Sequence, residues 1–141
     1  MSTGQKSGAL VISTNGPGGY EFTQRLNGWL KEIEASEGIL TLFIRHTSAS
    51  LTIQENADPD VLRDLVAALA RMAPANGPYA HIMEGPDDMP AHIKSALTSV
   101  SLTIPVRGGA AVLGTWQGVF VLEHRARPHT REVALHFMGS F

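Results

Sequence analysis

The sequence predicts an α+β domain with an antiparallel, sandwich-like β core and two main helices. Two observations carry that expectation. Two amphipathic helical segments stand in the first half of the chain, and strand signals joined only by turns crowd the last third. A doubly wound parallel sheet needs a helix between each pair of strands, so successive strands without helices pair antiparallel. The 141 residues fit one domain spanning 1–141 with a core of ordinary size.

The elements follow in order. Ala9 to Thr14 reads as a first strand, and Pro17, Gly18 and Gly19 as a turn. Leu26, Trp29, Leu30 and Ile33 recur at helical spacing, giving a helix that begins near Thr23 and ends at Gly38. From Ile39 to His46 the residues alternate, so that Leu40, Leu42, Ile44 and His46 share one face. Leu51 to Glu55 resumes the alternation. Asp58 before Pro59 opens a second helix, since the carboxylate caps free N–H groups and proline fits the first helical position. Val61, Leu62, Leu65, Val66, Leu69 and Met72 form its expected buried stripe, ending before Pro74.

Residues 74–90 hold four Pro and two Gly among acids and a histidine, which predicts a loop able to carry function. A short helix follows from Ala91 to Leu97. Val100, Leu102 and Ile104 then alternate with polar neighbours, Arg107-Gly108-Gly109 turns a hairpin, and Ala111–Thr115, Val119–His124 and Arg131–Met138 complete the strands.

Composition narrows the chemistry. The chain is 43% apolar and only 17% charged, which excludes a disordered segment and predicts that part of the exterior is covered in an oligomer. A formal charge of −2 provides no global field for polyanions, so nucleic acid is not an expected partner. Cysteine is absent, which removes disulfides, thiolate metal sites and a Cys nucleophile together. No apolar run approaches a membrane span or a signal-peptide core, and a cytoplasmic protein without membrane attachment is expected. No phosphate-binding glycine loop, dinucleotide fingerprint or nucleophile elbow occurs.

Six histidines stand out. His46 closes a strand, His81 lies in the 74–90 loop and His92 opens the short helix. Neutral imidazoles from three elements are how proteins build an open zinc-type site, while a histidine ending an apolar row also serves as a hydrogen-bonded core residue; both readings stand. Glu55, Asp58, Glu84, Asp87 and Asp88 crowd the same segments, able to orient ligand imidazoles or move protons. For Asp58 the helix cap is the simpler duty, and for Asp87 and Asp88 a solvated turn. The stretch His124 to Arg131, HRARPHTR, reads either as an anion site or as a solvated hairpin loop. Gly114-Thr115-Trp116-Gln117-Gly118 marks a bulge whose Trp faces a ligand, a subunit or the core.

Taken together, His46-Thr47-Ser48-Ala49-Ser50, Gln54 to Asp60, His81 with Glu84-Gly85, Ala91-His92-Ile93-Lys94 and Leu113 to Gly118 closely resemble the YjbQ family of small bacterial and archaeal proteins, in order from about residue 8 to residue 138. The resemblance implies a homotrimer of β-sandwich subunits, with His46, His81 and His92 converging on a metal ion or anion. On an enzyme reading, Glu84 and Asp87 are the expected catalytic groups, and Ser48, Asn56, Asp58, Trp116, Gln117 and Gly118 the expected ligand-binding residues. The resemblance also implies weak thiamine-phosphate synthase activity, joining a pyrimidine diphosphate to a thiazole phosphate. Three imidazoles favour a zinc-type ion, whereas Mg²⁺ would suit the diphosphate substrate. A metal-assisted hydrolase of a small phosphorylated metabolite, a non-catalytic metal or anion binder, and a purely structural histidine cluster are the alternatives. Pro86-Asp87-Asp88-Met89-Pro90 and His124 to Pro128 depart from the family's pattern and put the pocket rim in question.

Overall fold

The computed structural model describes residues 2–141. Its elements run β1 (Thr3–Asn15), β2 (Gly18–Glu21), α1 (Thr23–Glu32), β3 (Glu37–Ile44), β4 (Ala49–Glu55), α2 (Pro59–Met72), α3 (Asp88–Leu97), β5 (Ser101–Arg107), β6 (Ala110–Ala111), β7 (Gln117–Glu123) and β8 (Pro128–Ser140). One sheet has the order β1-β8-β3-β5-β6 and the other β2-β7-β4, and every pairing is antiparallel. This is the α+β architecture expected from the turn-linked strands, with the short helix expected before the last strands present as α3.

The core forms where the inner rows of both sheets meet α1. Leu40, Leu42 and Ile44 of β3, Val133, Leu135 and Phe137 of β8, and Val119 and Val121 of β7 are buried, as are Leu26 and Leu30 of α1. Removing each such side chain from water contributes about 1.5–3 kcal/mol. β7 is buried from Gly118 to Glu123, because it is the middle strand of its sheet and is covered on both faces.

Several local expectations are corrected. α1 ends at Glu32, not at Gly38. Gly38 lies inside β3 opposite Gly139 of β8, and a Cβ at either would run into the partner strand's backbone. The glycine pair serves close strand approach. The Pro17–Gly19 turn continues into β2, where Gly19 leaves room for the Leu62 side chain of α2. The segment expected as strand Ala111–Thr115 is reduced to Ala110–Ala111 and a turn, closed by the Gly114 N–H donating to Gln117 Oε1 at 2.8 Å.

The largest correction concerns α2. Asp58 caps it as expected, accepting the Asp60 N–H at 2.9 Å. Its apolar stripe, however, is only half-buried, and Met72 is 68% exposed. A cavity of about 510 Å³ separates Leu62 and Val66 from Phe120, so helical spacing correctly located the apolar face but not what covers it.

Candidate functional site

The site begins with the start of α3. The sequence placed that start at Ala91, yet the helix begins at Asp88 because Pro90 falls in the first turn, where its missing N–H costs nothing. Asp88 and His92 are then four residues apart on one helix face. The preceding turn brings His81 and Glu84 to the same place, with Gly85 at φ 103° allowing the chain to reverse.

His81, Glu84, Asp88 and His92 each present one ligand atom, all within 4.8 Å of one another. His81 Nε2 lies 2.7 Å and His92 Nε2 3.0 Å from the same oxygen, Asp88 Oδ2, and Glu84 Oε2 lies 2.9 Å from His81 Nε2. Asp88 is almost fully buried; Glu84 is exposed.

Other groups fix these atoms. His92 Nδ1–H donates to the Thr47 carbonyl at 2.9 Å, which leaves Nε2 as the free ring nitrogen. The Arg125 guanidinium donates through Nη1 to Asp88 Oδ1 at 2.6 Å, through Nε to Asp87 Oδ2 at 2.9 Å, and through Nη2 to the Glu84 carbonyl at 3.1 Å. The His81 hydrogen bond to Asp88 raises the imidazole pKa, despite some opposition from desolvation. Burial pushes the Asp88 carboxyl up, but the His81 hydrogen bond and the charges of His92 and Arg125 bring it below the ordinary range.

The donor set fits a divalent ion. Asp88 Oδ2 accepts only, and the His92 ring proton is already used on Thr47, so these two acceptors face each other unless a proton or a cation lies between them. The carboxylates of Glu84, Asp87 and Asp88 against one guanidinium leave two negative charges beside the two imidazoles. Two imidazoles with one carboxylate suit zinc or another first-row ion better than Mg²⁺.

The remaining candidates sit elsewhere. His46 does not join this cluster among the described residues; its Nε2 accepts the Glu132 N–H at 2.8 Å, so its lone pair is taken by the backbone. Asp87 is locked by Arg125 and by the Ala126 N–H at 2.9 Å, with its pKa lowered chiefly by Arg125, and it anchors rather than exchanges protons. Ser48 lies on the turn that carries Thr47, its carbonyl accepting from Arg131 at 3.3 Å. Asn56, Asp58, Trp116, Gln117 and Gly118 gather at the opposite end of β4 and β7, about 20 Å away along the strand at roughly 3.3 Å per residue. There Asn56 donates to Glu21 Oε2 at 3.0 Å, and Trp116 is 64% exposed.

The 124–131 stretch is divided: Ala126, Arg127 and Pro128 form an exposed bend, while its ends turn inward and make no open anion site. Arg125 and Arg131 are both spent on internal carboxylates, and His124 is buried. The sequence reading had Asp88 only as an acid near the ligand histidines or a solvated turn, and Arg125 only within the 124–131 stretch, so neither was assigned to the cluster itself. Asp88-x-x-x-His92 was visible as a helical spacing, but Pro90 concealed that the helix had already begun.

Comparison with known proteins places the chain in a family. The family model described as UPF0047 protein YjbQ-like matches residues 9–140. The chain belongs to the YjbQ family. It is 53% identical over 131 residues to the UPF0047 protein sll1880 of Synechocystis, covering 92% of this chain and 89% of that one. To the UPF0047 protein YjbQ of Escherichia coli O157:H7 it is 40% identical, covering 92% and 95%. A crystal structure of an uncharacterised YjbQ/UPF0047 protein from Clostridium acetobutylicum superposes with a TM-score of 0.84 at 34% identity, covering 92% of this chain and 98% of that one. A conserved hypothetical protein of Thermus thermophilus gives 0.81 at 36% identity, covering 90% and 96%. No helix of the described residues is long and apolar enough to cross a membrane.

Proposed function

We propose that this YjbQ-family chain is a divalent-metal enzyme for a small phosphorylated substrate, with His81, Asp88 and His92 holding the ion and Glu84 working at its open side. The observation that carries the reading is that two imidazole Nε2 atoms, one with its ring proton committed to Thr47, converge on a single carboxylate oxygen. A zinc-type ion is favoured by these donors, with Mg²⁺ entering alongside a diphosphate.

The reaction placed first is thiamine-phosphate synthesis. A ring nitrogen of a thiazole phosphate bonds to the methylene of a pyrimidine diphosphate as the carbon–oxygen bond breaks, and diphosphate leaves with the electron pair. A bound divalent ion supplies Lewis-acid stabilisation to charge gathering on the departing group. Asp88 is held by Arg125 so that Oδ2 keeps facing the imidazoles, and His92 is held by Thr47. Glu84, exposed and beside His81, is free to orient the substrate. The same carboxylate would serve as general base if the reaction were instead hydrolysis of a phosphorylated metabolite.

We further propose a homotrimer. The outer face of the five-stranded sheet leaves Val11, Ile39, Phe43 and Met138 about half exposed, with Ile39 directly opposite Met138, and no helix covers that face among the described residues. Sedimentation at micromolar concentration tests this, and a monomer would refute it.

The activity test is diphosphate release from the two substrates by protein loaded with zinc, manganese or magnesium. Wild type should turn over, and Glu84→Gln should keep its metal while losing most activity. Phosphate release from one substrate alone would shift the reading to hydrolysis. Wild type that binds metal but releases nothing would make the protein a non-catalytic binder.

A further inference from the structure

We propose that residues 74–84 form a flap that a divalent ion staples shut, so that metal occupancy decides whether the Asp88 side of the cluster is covered or open. The inference rests on the proposed function for the ion and deepens it by assigning the ion a conformational role.

Pro74, Ala75, Asn76, Gly77, Pro78 and Ala80 carry little apolar surface, so this segment has little to bury. No residue from Pro74 to Glu84 is buried, and the apolar side chains of Ile82 and Met83 are 67% and 91% exposed. What order the segment has comes mostly from itself. Tyr79 Oη donates to the Pro74 carbonyl at 2.7 Å, the Tyr79 N–H donates to the Gly77 carbonyl at 2.9 Å, and a Cβ at Gly77 would strike the Tyr79 ring. A segment without core contacts belongs to the low-stability end of a structure, where local opening costs least.

The two ends, by contrast, are fixed to the body. Ala73 is buried, and its N–H donates to the Leu69 carbonyl at 3.0 Å. Beyond the other end, Asp87 is held by Arg125 and by the Ala126 N–H, and α3 begins at Asp88. Gly85, at φ 103°, lies between the flap and this anchor and supplies the backbone freedom of a hinge.

Between its ends the flap meets the body through His81 and Glu84. His81 Nε2 lies 2.7 Å from Asp88 Oδ2, the His81 and His92 rings are 5.5 Å apart, and Arg125 Nη2 donates to the Glu84 carbonyl at 3.1 Å. The residues that would hold the ion are therefore divided between two bodies: His81 comes from the flap, whereas Asp88 and His92 share one face of α3. An ion bound to all three joins flap to helix and exists only with the flap closed. A ligand that binds the closed form alone lowers the open population by a factor of 1 + [L]/Kd, about a hundredfold when the ion stands at about a hundred times its Kd. Lifting the flap takes His81 off Asp88, which is only 3% exposed in the closed form, and opens Asp88 Oδ2 and His92 Nε2 to water or to an arriving ligand.

The test is chymotrypsin digestion of the full-length, untagged protein with and without zinc. Cleavage after Tyr79 and Met83 is followed by mass spectrometry, and zinc affinity is measured separately by calorimetry. Cleavage of a transiently opened segment tracks the open population. The exposed Trp116, at the far end of β7 from the cluster, is the internal control for any effect of zinc on the protease. In wild type, zinc should slow flap cleavage about tenfold or more and leave cleavage after Trp116 within about twofold. His81→Ala should abolish the protection and also speed metal-free cleavage, because the flap loses its tie to Asp88. His92→Ala should abolish the protection while leaving metal-free cleavage within about twofold, because that tie remains. Glu84→Gln should keep the protection. Zinc binding by wild type without slower flap cleavage would overturn the flap and leave the metal site standing. Protection that survives in His81→Ala, or equal slowing after Trp116, would overturn it as well. A wild type that binds no zinc in the calorimeter would remove the proposed metal site, and the staple with it.

Discussion

Two buried carboxylates, Glu123 and Asp88, show how the same group serves opposite ends. Glu123 is saturated. Its oxygens accept from Thr14, from Arg131 through two nitrogens, and from the backbone N–H groups of His124 and Arg125. Burial pushes its pKa up, but the Arg131 and Thr14 hydrogen bonds bring it below the ordinary range. Asp88 has Oδ1 equally well held by Arg125, yet Oδ2 faces two imidazole nitrogens that cannot both be neutral donors to it. A closed network fixes the β7–β8 connection, and an open one leaves Asp88 Oδ2 between the His81 and His92 rings. The two are coupled, since Glu123 holds the backbone N–H of Arg125, which in turn holds Asp88.

Breaking the closed network should have the largest effect. Glu123→Ala leaves the Arg131 guanidinium buried without its partner and should cost about 3–5 kcal/mol, read as a lowered urea midpoint. A loss below about 1 kcal/mol would mean that water or another acid replaces the pair. At the open network the effect should appear in metal binding instead. Asp88→Asn should lower zinc affinity about a hundredfold or more, with the urea midpoint changing far less than in Glu123→Ala. An unfolded Asp88→Asn would erase the contrast between the two carboxylates.

His124 sharpens the comparison through pH. It is 5% exposed, its Nε2 is 2.9 Å from Ser50 Oγ, and burial, helped by the Lys94 charge, lowers its pKa from 6.5 to about 4. With the folded value depressed, the unfolded chain binds the extra proton first. The stabilisation is fully present above about pH 6.5 and is lost as pH falls towards 4, by an amount on the order of 3 kcal/mol at most. Urea melts from about pH 7.5 to about 4.5 should show this slope in wild type and a shallower one in His124→Gln. Equal slopes would show that His124 does not titrate in that window.

The smallest effect is expected at the link. Arg125→Gln should weaken metal binding about 10- to 100-fold by releasing Asp88, measured by competition with a chelating dye. Unchanged affinity would separate the two networks.

The sequence disclosed the fold better than the site, for a physical reason. Strand alternation such as Leu40, Leu42 and Ile44 is a local pattern with one outcome when a core is present, and these rows are buried as expected. The covering of α2 and the pairing of β2 depend on distant partners such as Phe120 and Leu62, which no local pattern names. In the site, His81, Glu84 and His92 were legible as chemistry-bearing residues. What escaped was competition for their partners. His46 looked like a third ligand until the Glu132 N–H, 86 residues along the chain, was seen to occupy its lone pair. Arg125 looked like a surface cation until Asp87 and Asp88 closed on it.

The most direct test of the account is metal content per chain in untagged protein, comparing wild type with His81→Ala, Asp88→Asn and His46→Ala after exposure to zinc. The account predicts about one ion per chain in wild type and in His46→Ala, and almost none in the other two. Loss of the ion in His46→Ala with retention in Asp88→Asn, or a wild type that stays empty, would contradict it.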